Sequence, residues 1–168
     1  MKDKKLLSDI KEYLKCYENQ VLEDWYELIR HISVSETGEG IETCCDWIQK
    51  KMEEIGIQVT KYSVKPAPVL VGRFGNDPEK KTVLIYAHYD VKPAGERKLW
   101  HSDPFVPTVR DGKVYARGSA DNKSPLMAHL KALEYFIRRK MEVPVNVIFV
   151  FEGDEECGSR GLEEFLAE

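Results

Sequence analysis

Two nearly continuous apolar stretches, residues 82–87 and 145–151, each run directly into side chains that bind metal ions. The first leads into His88 and Asp90, and the second leads into the acidic residues 152–156. Continuous apolar stretches of this length are typical of strands covered on both faces, so we predict that both are central strands of a sheet. In an open α/β sheet, functional side chains collect beyond the carboxyl ends of the strands. The pattern therefore predicts an α/β fold with a metal site at those strand ends.

A third polar segment, residues 117–123, lies between these two clusters and contains Asp121 at the start of a predicted helix. Together the three segments supply imidazole and carboxylate groups. Zinc, cobalt and manganese prefer this mixture of ligands. We therefore expect a divalent metal ion of this group.

The pair His88 and Asp90 has two interpretations. Residues i and i+2 of a strand point the same way, so the ring is able to bind a metal while the carboxylate orients it. A partly buried histidine that is paired with an acid explains the same two residues without a metal. The acidic residues 152–156 repel one another unless a cation or solvent compensates, and a solvated loop is the simplest alternative. Their position directly after an apolar strand favours the metal site.

Composition excludes several other classes of protein. The chain has 168 residues, of which 42% are hydrophobic and 32% are charged, which suits one domain with one core. Its net charge of -4 argues against nucleic-acid binding, which requires a basic patch. The apolar stretches are too short to cross a bilayer, and the first residues lack a signal-peptide pattern. We therefore expect a cytoplasmic protein with no membrane or nucleic-acid partner.

The four cysteines are expected to be reduced thiols. Cys44 and Cys45 are adjacent and no C-x-x-C spacing occurs, which leaves no motif for a redox pair or a thiolate metal site.

Helical spacing predicts one long or two consecutive helices over residues 6–29, one over 41–55 that Gly56 ends, and one after Asp121 that Pro144 ends. Residues 57–64 and 69–74 are predicted strands, and Asp111-Gly112 is a predicted hairpin turn.

Four segments of this sequence resemble the two-metal exopeptidases and deacylases. They are YAHYDVKP at 86–93, WHSDPF at 100–105, the stretch 111–123 that ends in Asp-Asn-Lys, and EGDEECGS at 152–159. That family includes carnosinase-type dipeptidases, carboxypeptidase G, aminoacylase, acetylornithine deacetylase and succinyl-diaminopimelate desuccinylase. The resemblance implies an α/β catalytic domain with a mixed, mostly parallel central sheet flanked by helices. Residues 1–168 would be its amino-terminal portion.

The resemblance also implies a role for each candidate residue. His88 would be the terminal ligand of one metal, Asp90 the acid that orients it, and Asp121 the carboxylate that bridges two ions, with zinc expected and cobalt or manganese as alternatives. Glu156 would bind the second ion. Glu155 would be the general base that takes a proton from the metal-bridging water as it attacks an amide bond. A cis peptide would precede Asn122.

Departures from the family pattern affect the completeness of the site rather than its candidate residues. Ser124 stands where many relatives have glycine, and Cys157 replaces an aliphatic residue. In the family each metal takes one further ligand from a later part of a longer chain, and a lid domain is inserted there. We therefore expect these 168 residues alone to bind metal weakly, to be inactive and to self-associate through an open sheet edge.

The substrate class and several secondary residues stay open at this level. The leading hypothesis is hydrolysis of a dipeptide or small peptide; the alternatives are an N-acyl-amino-acid deacylase and a catalytically inactive truncated fragment. Lys123, Arg117 and His101 are candidates for substrate contact, although loop structure explains them equally well. His31 and His129 are expected to be surface or packing residues. The three tryptophans, at positions 25, 47 and 100, are expected to be packing residues.

Overall fold

The computed structural model describes residues 2–167. Two helices are followed by five strands, and the last part of the chain alternates between helix and strand, with two single-turn 3-10 segments at Arg97–Leu99 and Glu155–Cys157. The helices are α1 (Lys2–Arg30), α2 (Ile41–Glu54), α3 (Lys123–Arg138) and α4 (Arg160–Ala167). The strands are β1 (Gln58–Tyr62), β2 (Val69–Phe74), β3 (Thr82–His88), β4 (Thr108–Arg110), β5 (Lys113–Tyr115) and β6 (Asn146–Glu152).

α1, α2 and α3 lie where the sequence predicts helices, but α3 ends at Arg138, six residues before Pro144. The amino-terminal apolar pattern forms one continuous helix, α1, rather than two. Gly56 follows α2 with φ +86°, a left-handed conformation that costs glycine little and ends the helix. α3 begins directly after Asn122, and Pro125 lies in its first turn, where the missing N–H breaks no intrahelical hydrogen bond. Asp111 and Gly112 join β4 to β5 as the predicted hairpin turn.

The main sheet has the strand order β1-β2-β6-β3. β3 and β6 are parallel, whereas β2 is antiparallel to both β1 and β6. The predicted α/β class and mixed sheet are confirmed, but the expectation of a mostly parallel sheet is not met in the described residues. The reason lies in the connections: a parallel pair requires a long crossover, and α3 provides one only between β3 and β6.

β3 and β6 occupy different positions in the sheet, although their sequences are similarly apolar. β6 is central, and Phe149 and Phe151 on it are fully buried. β3 is an edge strand of the described sheet, with Val83, Leu84 and Tyr86 exposed by 43%, 63% and 44%. The prediction that both are central strands is therefore wrong for β3. An apolar sequence reports the tendency of a strand to be covered, not whether a neighbour covers it.

One buried cluster joins the sheet to the helices and fixes the ends of β3 and β6. Its members include Met52 from α2, Leu126 from α3 and the two phenylalanines of β6, and α1 contributes Leu28. Trp25 and Trp47 pack against this cluster, and the indole N–H of Trp100 donates to the carbonyl of Ala94, so packing roles suit all three. Burial of these side chains anchors the strands whose carboxyl ends carry the candidate site.

All four cysteines lie among the described residues and are free thiols, with Cys44 and Cys45 buried. Within residues 2–167 no helix combines the length and the apolar character needed to cross a membrane.

Candidate metal centre

His88 lies at the carboxyl end of β3 between two carboxylates. Its Nδ1 atom is 3.3 Å from Asp90 Oδ1, and its Nε2 atom is 3.1 Å from Asp121 Oδ1. His88 and Asp90 are buried, whereas Asp121 is exposed. Burial alone would lower the pKa of His88, but the hydrogen bond to Asp90 and the nearby Glu155 and Asp121 raise it to about 9. In the metal-free chain this ring therefore carries a proton that a metal ion would displace.

Asp90 is the acid that connects the two predicted clusters. Its side chain is fully buried, yet both of its oxygens accept hydrogen bonds from backbone amides, at 3.2 Å from Glu155 and 3.0 Å from Glu156. Burial would raise the pKa of Asp90, but hydrogen bonds from His88, Ser35 and the Glu156 amide lower it overall. Asp90 is therefore an anion that orients the ring of His88 and also holds the turn after β6.

Glu155 and Glu156 begin the short 3-10 segment that follows β6, and their side chains have different partners. Glu155 Oε2 is 3.6 Å from His88 Nε2, on the same side of the ring as Asp121. Glu156 Oε2 is 3.8 Å from Lys92 Nζ, and Lys92 also donates to the Glu156 carbonyl. The structure thus brings His88, Asp121 and Glu155 together and leaves Glu156 beside a lysine.

These side chains fit part of a metal site. Within residues 2–167, no three His, Cys, Asp or Glu side chains have the arrangement needed to hold an ion. The donors are nevertheless of the expected type, because Nε2 of His88 points at the Asp121 carboxylate and Nδ1 faces Asp90. A carboxylate behind a histidine is the usual support of a histidine ligand. The set fits zinc-type ions in chemistry and is incomplete in number.

The loop that carries Asp121 has one feature that the resemblance implies and one that the sequence did not predict. The peptide bond between Asp121 and Asn122 is cis, as the resemblance implies. Lys123, which follows, is fully buried and donates hydrogen bonds to the carbonyls of Leu28 at 3.1 Å and His31 at 2.6 Å. Burial lowers the pKa of this ammonium group. Lys123 is therefore inaccessible to a substrate carboxylate.

The remaining residues that the sequence left open differ in their exposure and in their contacts. Arg117 donates to the carbonyl of Pro93 and lies over the ring of Trp100, which explains it through loop structure. His101 and His129 are exposed. His31 stacks against Trp47 with the ring centroids 5.4 Å apart, and burial followed by the charge of Lys123 lowers its pKa. His31 and His129 thus have the packing and surface roles expected of them.

Glu152 has a more specific environment than its place in the acidic cluster suggests. It is buried, and its Oε1 atom accepts hydrogen bonds from Tyr86 at 2.6 Å and from Ser159 at 2.7 Å. Its Oε2 atom has no hydrogen-bond partner among the described residues, and burial raises the pKa of Glu152. The sequence feature that could have predicted this environment is the position of Glu152 as the last residue of an apolar strand. That position places Glu152 opposite His88 in the sheet.

Comparisons with known proteins agree on one family. The sequence model of Peptidase family M20/M25/M40 matches residues 84–168. The Cys-Gly metallodipeptidase of Schizosaccharomyces pombe is 43% identical over 120 residues, which cover 69% of this chain and 25% of that protein. The succinyl-diaminopimelate desuccinylase of Thiobacillus denitrificans is 35% identical over 130 residues, which cover 77% of this chain and 32% of that protein.

A solved structure shows the same fold. The crystal structure of human carnosine dipeptidase 1 matches with a TM-score of 0.87 and 30% sequence identity, over 96% of this chain and 37% of that one. The chain thus spans between a quarter and two fifths of the lengths of these three relatives.

Proposed function

Because this chain belongs to Peptidase family M20/M25/M40 and is a metallopeptidase by family, we propose that it forms part of the active site of a metal-dependent dipeptidase. The reaction is hydrolysis of the amide bond of a dipeptide or small peptide. The observation that carries the proposal is the position of His88 between Asp90 and Asp121, with the Glu155 carboxylate 3.6 Å from the ring nitrogen that faces Asp121.

Three residues would hold the metal ions. His88 would bind one ion, Glu156 would bind the second, and Asp121 would be shared between them. Their donors suit zinc, and also cobalt or manganese. Divalent ions bound there supply Lewis-acid polarisation of the amide carbonyl. In the metal-free chain the Lys92 ammonium group is the cation beside Glu156, at 3.8 Å, and an ion at that carboxylate would replace it.

Glu155 would act as the general base. Its side chain is partly exposed, so water reaches the carboxylate, and the backbone amide of the residue is held by Asp90. A carboxylate in this position accepts a proton from the attacking water and passes it to the departing amine. Asp90 would act through its neighbours, because its oxygens are occupied by His88 and by the amides of the turn.

A dipeptide is the proposed substrate because the Cys-Gly metallodipeptidase of Schizosaccharomyces pombe matches this chain at higher identity than the desuccinylase does. The alternative is removal of an N-acyl group from an amino acid. The 35% identity to the desuccinylase, over a larger share of this chain, supports that alternative. The four free cysteines suit a reducing compartment, and we propose a cytoplasmic location, which cell fractionation tests.

These 168 residues alone are proposed to be inactive. His88, Asp121 and Glu156 give each ion two protein ligands when one carboxylate is shared, whereas catalytic zinc typically has three. Titration calorimetry of the purified chain should therefore show weak zinc binding, and neither Cys-Gly nor an N-acetyl amino acid should be hydrolysed. Two tight stoichiometric zinc sites, or turnover that a chelator abolishes, would contradict this proposal.

A chimera tests the proposed function directly. The matched 120-residue stretch of the Schizosaccharomyces pombe dipeptidase is replaced by the corresponding residues of this chain. We expect chelator-sensitive hydrolysis of Cys-Gly, because the replaced stretch would supply equivalent ligands and base. Preference for N-acetyl amino acids would favour the deacylase alternative. A folded, metal-loaded chimera without turnover on either substrate would refute both functions.

A further inference from the structure

Lys123 is a buried lysine whose ammonium group is paired with helix carbonyls rather than with a carboxylate. The side chain is fully buried, and its two hydrogen-bond acceptors are the carbonyl of Leu28, in the last turn of α1, and the carbonyl of His31, the residue that follows α1. The last carbonyls of a helix lack partners within the helix and carry its negative dipole end. The ammonium group of Lys123 satisfies one of them, that of Leu28, together with the carbonyl just beyond the helix, and so ties the end of α1 to a residue more than ninety positions away.

The segment that follows α1 also holds the strand end that carries His88 and Asp90. Ser33 Oγ donates to the carbonyl of Tyr89 at 2.7 Å, and the amide of Val91 donates to the carbonyl of Ser33 at 2.8 Å. Residues 28–33 therefore support both segments of the candidate centre. One segment is attached through Ser33, and the other through Lys123.

The loop before Lys123 has little freedom to move once this attachment is made. The amide of Lys123 donates to the carbonyl of Gly118 at 3.2 Å and closes the loop that contains Asp121. Gly118 has φ +78°, and a Cβ atom there would lie 2.6 Å from Val91 Cγ1 and 3.4 Å from Lys123 Cδ. The loop is thus packed between the end of β3 and the stem of the lysine.

We propose that Lys123 is a positioning residue, which holds the Asp121 carboxylate opposite His88 by anchoring its loop to the carbonyls of Leu28 and His31. This inference rests on the proposed function, because it assigns Asp121 to the metal centre. Lys123 makes no contact with substrate in this role, since its ammonium group is enclosed by backbone. A lysine that only stabilised the fold would leave the distance between Asp121 and His88 unchanged when replaced.

The test compares Lys123→Met and Lys123→Gln with Lys131→Met. Methionine keeps the apolar stem without donors, and glutamine keeps an amide donor on a stem too short to reach both carbonyls. Lys131 is the matched control, because it is a partly buried lysine of the same helix whose bonds to Asp24 and Glu134 lie away from Asp121. Thermal unfolding followed by circular dichroism identifies a temperature at which every variant is folded, and all measurements are made at that temperature.

Two measurements are made on each folded variant. In the metal-free protein, a nuclear Overhauser contact between the His88 ring and the Asp121 β protons should be present in the wild type and in Lys131→Met. It should be lost in Lys123→Met and weakened in Lys123→Gln. Zinc affinity, measured by calorimetry, should fall about 10-fold or more in Lys123→Met, the range expected when a ligand loses its support, and should stay within about 2-fold in the control.

The outcomes separate the two claims. Either Lys123 variant that folds and keeps both the contact and the wild-type zinc affinity would overturn the positioning role. An equal loss of affinity in Lys131→Met would assign the effect to general stability and would also overturn it. If the wild type shows the contact but binds no zinc, the proposed metal centre fails, and loss of the contact in Lys123→Met still decides the positioning role.

Discussion

The Asp90 carboxylate accepts a hydrogen bond of 3.0 Å from the backbone amide of Glu156, a residue 66 positions later in the chain. The other oxygen of the same carboxylate is 3.3 Å from His88 Nδ1. One buried anion therefore sets the orientation of a candidate metal ligand on β3 and the course of the turn after β6. This arrangement makes the two clusters of the sequence a single unit.

Replacement of Asp90 by asparagine should weaken metal binding. Asparagine has nearly the same shape, but only one of its terminal atoms accepts hydrogen bonds, so it is unable to hold both the amides and the ring of His88. Loss of such a supporting carboxylate typically costs 10- to 100-fold in metal affinity, and titration calorimetry with zinc measures it. Asp103→Asn is the matched control, because Asp103 also accepts a backbone amide, that of Phe105, but lies in another loop. Equal affinities in the two variants would contradict the supporting role.

Glu155→Gln and Glu156→Gln should affect different properties of the dipeptidase chimera, turnover in the first case and zinc content in the second. Glutamine at 155 removes the proton acceptor and should lower turnover by about 10²- to 10⁴-fold while zinc content stays near that of the parent. Glutamine at 156 removes a proposed ligand and should lower the zinc content itself. Metal analysis and Cys-Gly turnover are measured on the same preparations. If Glu155→Gln loses the metal and Glu156→Gln keeps it, the two roles must be exchanged.

Acid should weaken the contact between α1, α2 and α3 through Asp24. Burial would raise the pKa of this carboxyl, but hydrogen bonds from Lys131 and Lys51 lower it overall. Because the folded pKa is below the unfolded value of roughly 3.9, this contribution is complete above that value and is lost as the pH falls through the folded pKa. Asp24→Asn should lower the free energy of unfolding by about 1–3 kcal/mol at pH 7 and by less in acid.

Urea unfolding of wild type and Asp24→Asn at pH 7, 5 and 3.5 measures this difference. Glu23→Gln is the control, since Glu23 pairs with Arg30 on the exposed side of α1 and should contribute about 0–1 kcal/mol. A difference between wild type and Asp24→Asn that is constant over this pH range would show that the charge of Asp24 is not the source of its effect.

The exposed edge of β3 should make the chain self-associate. Residues 82–87 include no charged side chain, and Leu84 is 63% exposed on an edge strand of the described sheet. An apolar edge strand offers backbone groups for pairing with a second chain, and a charge on it opposes that pairing. Leu84→Lys should therefore shift the chain towards monomer in sedimentation velocity.

Leu99→Lys is the control for this association, because Leu99 is similarly exposed at 74% but ends the short 3-10 segment Arg97–Leu99, outside the sheet. It should leave the association unchanged. A wild-type chain that stays monomeric at high micromolar concentration would show that the edge is not a pairing surface. An equal effect of both lysines would instead indicate general hydrophobic association.

Local sequence patterns were sufficient to predict most elements of the candidate site. Strand alternation predicted that His88 and Asp90 lie on one side, and their side chains are 3.3 Å apart, although β3 ends at His88. The apolar stretch before Glu152 predicted the strand that carries the second cluster. Periodicity predicts these features because it reflects which face of an element avoids water, and that preference is set by neighbouring residues.

Only the tertiary structure decided which strands are covered and which charges are buried. The sequences of β3 and β6 are similarly apolar, yet β6 is central and β3 is an edge strand of the described sheet, because coverage depends on partners far along the chain. Lys123 is another case: from sequence it is a polar loop residue open to substrate, and in the structure it is buried beneath the end of α1. The acceptors that stabilise its ammonium group are backbone carbonyls more than ninety residues away, and no local pattern encodes them.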